Sequence, residues 1–225
     1  MKKIAIVASL VAIGFAVTAF VAPTSSEDTT FEGVVTYSMS VDNPQAAAMM
    51  QGSSVTMYIK GDMDKTCVDA GPSKQTYITN RSKTDSPIIL IEIMGNKYQI
   101  KTDKTKKDEK DPVIKYTDET KQVAGYNCHK AEITVIDEQG QANTSNVYYT
   151  EDIKVSPSKN GQFKGLKGFP LEYSMKQQGM NISISATKVD KKPISDDTFA
   201  VPTGYKLMTK EEMMQDVQKN MSSGN

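Results

Sequence analysis

Tryptophan is absent from this 225-residue chain, histidine occurs once and cysteine twice. A lone His129 leaves no imidazole cluster for zinc, whose sites draw on several nitrogen and sulfur ligands. HExxH, GxSxG, a Walker-type phosphate loop and a paired-glycine dinucleotide fingerprint are also missing. Acidic pairs occur at Asp62/Asp64 and Asp196/Asp197, without the alternating spacing, glycine and closing glutamate of a calcium loop. Turn formation is their expected duty. Neither sign of charge dominates, since 27 basic residues balance 27 acidic ones. The concentrated basic face of a nucleic-acid binder is therefore lacking. These absences point to a protein that is not an enzyme and carries no metal or cofactor.

Long apolar runs are equally scarce, with one exception at the start. Met1-Lys2-Lys3 is followed by an apolar stretch from Ile4 to Ala22. A cationic start, an apolar stretch and small residues at its end form a secretory signal. Val17-Thr18-Ala19 supplies small residues at a cleavage site, and residues 23–30 read as a disordered leader. The rival is a retained anchor, because a run of this length just spans a hydrocarbon core. No cysteine follows the run to take a lipid. The expectation is a protein that is periplasmic or secreted after cleavage, touching the membrane only through its uncleaved signal. Removing Lys2 and Lys3 leaves acidic residues in excess by two.

What the chain has in abundance is alternation. Phe31, Val35, Tyr37, Met39 and Val41 share one parity against Glu32, Thr36, Ser38 and Ser40. Val55, Met57 and Ile59 repeat the pattern, which places one face of a strand on a core and the other in water. Ile88 to Ile93 is nearly continuous in apolar residues, as in a strand covered on both faces, and Gly95-Asn96 after it predicts a hairpin turn. Two further hairpins are predicted, Ala131–Ile136 into Asn146–Thr150 and Leu171–Met175 into Ile182–Ala186. Pro44 to Gln51 suits a short helix with proline in its first turn. Thr209-Lys210-Glu211-Glu212 is a capping box opening a C-terminal helix. The fold class expected is mainly β (α+β): a curved antiparallel sheet or incomplete barrel with both helical segments packed on it. One domain spans residues 31–221, and 222–225 form a frayed tail. The dense mixed-charge run from Lys101 to Asp111 reads as a solvated loop.

Export would place Cys67 and Cys128 in an oxidising compartment, where an even count favours a disulfide. Such a bridge would close a loop of about 60 residues, worth up to ~4 kcal/mol. The alternative is two unpaired, buried thiols. His129 follows Cys128 directly, so on a strand the two point to opposite faces and form no nucleophile pair. Thirteen methionines are the one unusual surplus. Most would fill the core. Met49 and Met50 on the first helix, and Met213 and Met214 on the last, are candidates to line a hollow for a hydrophobic ligand, since methionine adapts its shape.

Short motifs in a consistent order add a resemblance. Gly125-Tyr126-Asn127-Cys128-His129-Lys130-Ala131 leads through Tyr148-Tyr149-Thr150-Glu151-Asp152-Ile153 to Gly168-Phe169-Pro170-Leu171-Glu172-Tyr173. Ala186-Thr187-Lys188-Val189 and Phe199-Ala200-Val201-Pro202-Thr203-Gly204-Tyr205-Lys206 close the series. This resembles an exported bacterial family of unknown function, allied with the lipoprotein-carrier (LolA/LolB-like) superfamily. The resemblance implies an incompletely closed barrel with helices on its concave side, and a lipid or acyl-chain ligand in between. The alternative is an envelope module that binds a protein or glycan through its sheet surface.

Overall fold

The computed structural model describes residues 30–102, 110–136, 140–159, 161–177 and 180–223. The expected signal, most of the leader, the core of the mixed-charge run, the turns at 137–139 and 178–179, and residues 224–225 lie outside the described residues. In chain order the elements are β1 (Glu32–Val41), α1 (Pro44–Met49), β2 (Ser54–Lys60), β3 (Met63–Ala70), β4 (Ser73–Asn80), β5 (Ile88–Ile93) and β6 (Asn96–Ile100). There follow β7 (Val113–Val123), β8 (Tyr126–Ile136), β9 (Ala142–Thr150), β10 (Phe169–Gln177), β11 (Met180–Lys191), a 3-10 turn (Asp196–Phe199), β12 (Lys206–Met208) and α2 (Lys210–Ser223).

All twelve strands join one open, curved sheet in the order β12-β6-β5-β4-β3-β2-β1-β11-β10-β9-β8-β7. Two meanders, β1 to β6 and β7 to β11, are sewn together where β1 pairs with β11. Every neighbouring pair is antiparallel except β12 against β6. The exposed edge of β7 is protected by its charges and by a register shift between Tyr116 and Thr120, features that blunt pairing with a foreign strand.

Register assigns the faces. Val35 pairs with Met57, Met57 with Thr66, Thr66 with Tyr77, and Ile59 with Asp64 opposite Thr79. These residues and Tyr37 share the hollow face. The other face carries Lys60 and Lys65, whose ammonium groups donate to the carbonyls of Ile194 and Thr198. The segment after β11 is thereby held against that face. Because both faces are covered near the middle of the sheet, Val34 and Val35 are buried together.

The hairpin predicted at Gly95-Asn96 forms, one residue earlier. Ile93 pairs with Asn96, so Met94 and Gly95 are the central residues, both left-handed at φ 52° and 78°. That is the mirror-image turn whose twist suits a two-residue hairpin. Met94 is 57% exposed, so its side chain contributes little packing against the strain of a left-handed backbone. Met94→Asn is therefore expected to raise stability by about 0.5–1 kcal/mol, read as a higher urea midpoint.

The two helices form where the sequence predicts them. Asn43 caps α1 by accepting from the amides of Gln45 and Ala46. Thr209 Oγ1 accepts from the Glu212 amide at 3.1 Å, and the Glu212 carboxylate accepts from the Thr209 amide at 2.8 Å. Tyr98, fully buried on β6, donates to Asp216 at 2.8 Å and docks α2 on the sheet. Only one side of α2 is engaged: Met213 and Val217 are half-buried, while Met214 and Met221 stay exposed.

Candidate functional site

Among its described residues the connection from β9 to β10 carries no helix or strand, yet it is fastened across the hollow face. At residues 151–168 it leaves β9, crosses to the far ends of β2 to β4 and returns to β10. Phe31 donates its amide to Lys154 O at 2.6 Å, and Lys159 donates its amide to Arg81 O at 3.1 Å. Ser156 Oγ donates to Asp62 Oδ1. That bond and a second from Ser82 hold the Asp62 carboxyl below its ordinary range. Ile153 and Leu166 of the strap are buried against the sheet. Long irregular connections in compact domains commonly carry function.

Gly168 shows how closely the strap joins the sheet. A Cβ there would lie 2.4 Å from Thr150 O and 2.7 Å from Tyr149 Cδ2. Glycine is required for that close approach, with no need of a left-handed backbone. Gly168→Ala is expected to cost about 1–3 kcal/mol through overpacking, measured by chemical denaturation.

Between strap and sheet lies a cavity of about 960 Å³. Its floor comprises Tyr37 of β1, Met57 of β2, Asp64 of β3, Thr79 and Arg81 at the end of β4, and Tyr173 of β10. The strap contributes Ile153, Val155, Phe163 and Leu166. Phe163 and Tyr173 meet edge to face, ring centroids 4.9 Å apart. Tyr37 donates to Pro170 O at 3.2 Å. Burial pushes the Tyr37 phenol well up and the Tyr173 phenol to about 12, so both remain neutral. The cavity thus has an apolar, aromatic side.

At its other side sits a buried ion pair. Arg81 and Asp64 are each 8% exposed, with Arg81 Nε 2.8 Å from Asp64 Oδ2. The guanidinium lies 5.5 Å from the centroid of the Phe169 ring. Burial raises the Asp64 carboxyl, and Arg81 opposes that rise without cancelling it. Turn duty, expected of both members of the Asp62/Asp64 pair, belongs to Asp62. Asp64 is a strand residue of the cavity floor. Asp196 behaves as expected, opening the 3-10 turn and pairing with Lys60 at 2.7 Å.

The sequence-derived ligand residues lie elsewhere. Met50 lines a smaller hollow of about 210 Å³ with Met39, Val41 and Ala47. The Met49 side chain is outside the described residues. Met213 is half-buried and Met214 51% exposed, and neither lines the larger cavity. The strap escaped notice because its Lys, Ser, Pro and Gly residues read as a surface loop.

The expected disulfide is also corrected. Cys67 and Cys128 are both free, and five strands separate β3 from β8. At about 4.8 Å per strand they stand far beyond the ~7 Å Cα separation a bridge tolerates. Burial raises the Cys128 thiol to about 11, which suppresses the reactive thiolate. His129 is exposed, as expected, with its ring 6.1 Å from that of Tyr149. Among the described residues no cluster of three or more His, Cys, Asp or Glu side chains is arranged to hold a metal ion. No described helix is long and apolar enough to cross a membrane.

Residues 37–211 match the family described as N-glycanase peptide, N-terminal domain. All of the motifs quoted above for the resemblance lie within that span. No curated protein matches the chain. Among solved structures it is similar to the Mycobacterium tuberculosis lipoprotein LppX, at 10% identity and a TM-score of 0.37, over 73% of this chain and 89% of that one. It is also similar to a LolA superfamily protein from Nitrosomonas europaea, at 10% identity and a TM-score of 0.35, over 76% of this chain and 91% of that one. The second belongs to the superfamily that the sequence motifs resemble.

Proposed function

Taking as premise that the chain belongs to the N-glycanase peptide, N-terminal domain family, we propose that it is a non-enzymatic binding module whose strap-roofed cavity holds a hydrophobic or lipid-like ligand. The protein acts outside the cytoplasm, periplasmic or secreted once residues 1–22 are removed. The observation that carries this reading is the cavity itself. Its volume of about 960 Å³ falls in the range of roughly 300–1,000 Å³ typical of small-molecule sites. Its apolar side joins Met57 of β2 and Tyr173 of β10 with Phe163, Ile153 and Leu166 of the strap. The neutral phenols of Tyr37 and Tyr173 add no charge there.

Native mass spectrometry of protein purified from its own periplasm or medium tests the proposal. A bound mass extractable into organic solvent is expected. A consistently empty protein, together with no thermal stabilisation by any amphiphile, would sink it.

A second reading is favoured by the family's description, which names an N-glycanase: a module that binds glycan. The aromatic rings and the mixed charges of the cavity suit a sugar as well. Under that reading the copurifying mass is an oligosaccharide, and an N-linked glycopeptide displaces it where an amphiphile does not.

A further inference from the structure

An apolar ligand alone leaves one part of the cavity floor without a use. Arg81 is more than nine-tenths buried and lines the cavity. Its Nε stands at ion-pair distance from Asp64, but the N–H is not directed so as to complete a hydrogen bond. Nη2 has the thioether sulfur of Met57 at 3.9 Å, a weak acceptor. A guanidinium carries five donors in a rigid fork. Among the described residues Nε thus completes no hydrogen bond and Nη2 faces a weak acceptor, inside the protein, where polar groups ordinarily find better partners.

Charge around the floor points the same way. Six cationic side chains of the lining face four carboxylates. Besides Arg81, two of the cations are already engaged, Lys164 by Asp111 and Lys167 over the Tyr116 ring at 4.7 Å. Lys154 and Lys159 stand exposed on the strap beside the opening. They supply an attractive field at the entrance, while the weakly hydrated, planar guanidinium lies within. Arginine's fork matches a carboxylate or phosphate with two parallel hydrogen bonds, and it loses less hydration on burial than an ammonium.

We infer that the ligand is an anionic amphiphile, its carboxylate or phosphate seated against the Arg81 guanidinium and its apolar body along Met57, Tyr173 and Phe163. This inference rests on the cavity being a ligand site. The two claims fail differently.

The test compares 1-anilinonaphthalene-8-sulfonate with N-phenyl-1-naphthylamine, fluorescent probes that share an apolar body and differ by one anionic group. On the full mature chain the anionic probe should bind at least tenfold more tightly. Equal binding of both overturns the anionic preference and leaves the cavity reading standing. Binding of neither removes the cavity reading itself. In the double variant D64N/R81Q, which leaves no buried charge unpaired, the neutral probe should bind as before and the preference should fall towards unity. A preference that survives there assigns it away from Arg81 and overturns the inference. Should that variant fail to fold, competition on the unaltered chain decides. Dodecyl phosphate should displace the neutral probe at a concentration at least tenfold below dodecanol, and equal potency overturns the inference. Inorganic phosphate alone should displace nothing at the concentration where dodecyl phosphate is complete. Displacement by it would make the site one for a free anion and overturn the amphiphile.

Discussion

Arg81→Met is expected to destabilise the fold by about 3–5 kcal/mol, the usual cost of breaking a buried ion pair from one side. The loss comes from Asp64. With Arg81 present, burial already outweighs the guanidinium and holds the Asp64 carboxyl above its ordinary value. Without Arg81 that carboxyl rises further. A raised folded-state pKa contributes stability that is whole below the unfolded value near ~4 and is lost as pH climbs through the folded value. The deficit of Arg81→Met should accordingly be large at neutral pH and narrow as the solution is acidified towards ~4. Urea denaturation at neutral and acidic pH measures both quantities. A second substitution, Asp64→Asn in the same chain, should recover part of the loss at neutral pH. A single variant within about 1 kcal/mol of the parent, with no pH trend, would show the pair to be effectively solvated.

Phe169→Ala should cost a similar amount, about 3–5 kcal/mol. Phe169 is fully buried at the start of β10, directly after the close approach at Gly168, and its ring lies over the Arg81 guanidinium. Truncation opens a void in the main core and removes one wall from the ion pair. Phe169→Leu keeps most of the volume and should lose less, the difference reporting the ring's contact with the cation. Equilibrium denaturation of both variants separates the terms. If alanine and leucine cost the same, the ring itself contributes nothing beyond its bulk.

Both effects concern residues whose role is invisible along the chain. Arg81 and Asp64 are seventeen positions apart, and each reads as an ordinary surface charge beside a turn. Only the β3–β4 register, which sets Asp64 opposite Thr79, brings the two together on the floor. The strand was legible only from Leu171, two residues after Phe169, where β10 begins, and nothing near Phe169 in sequence announces a cation 88 positions upstream. The methionines are placed differently from one another, Met50 lining the smaller hollow and Met213 and Met214 lying away from the larger cavity. Adaptability made Met214 a candidate for a ligand lining, and it stands solvent-exposed. Here the helix carrying Met214 is docked on its other side, through Tyr98 and Asp216.

Many of the strands, by contrast, were readable locally, although β3, β4, β7 and β12 were not. Period-two alternation marks strands such as β1 and β2, and a local pattern suffices because successive side chains point to opposite faces. The capping box at Thr209 and Glu212 is likewise a matter of four consecutive residues, and it forms as written. The Gly95 hairpin was right in kind and wrong by one residue, since two adjacent left-handed positions are shared between Met94 and Gly95.

By itself, then, the sequence determined a mainly β chain with short hairpins and a capped last helix, all features written in fewer than about a dozen consecutive residues. The tertiary structure alone decided that β1 closes on β11, that Cys67 and Cys128 have five strands between them, and that the β9–β10 connection roofs a cavity over a buried Arg81–Asp64 pair. The physical reason is range. Alternation and caps are interactions between near neighbours, whereas a cavity is the space left by elements whose mutual placement follows from the packing of the whole sheet.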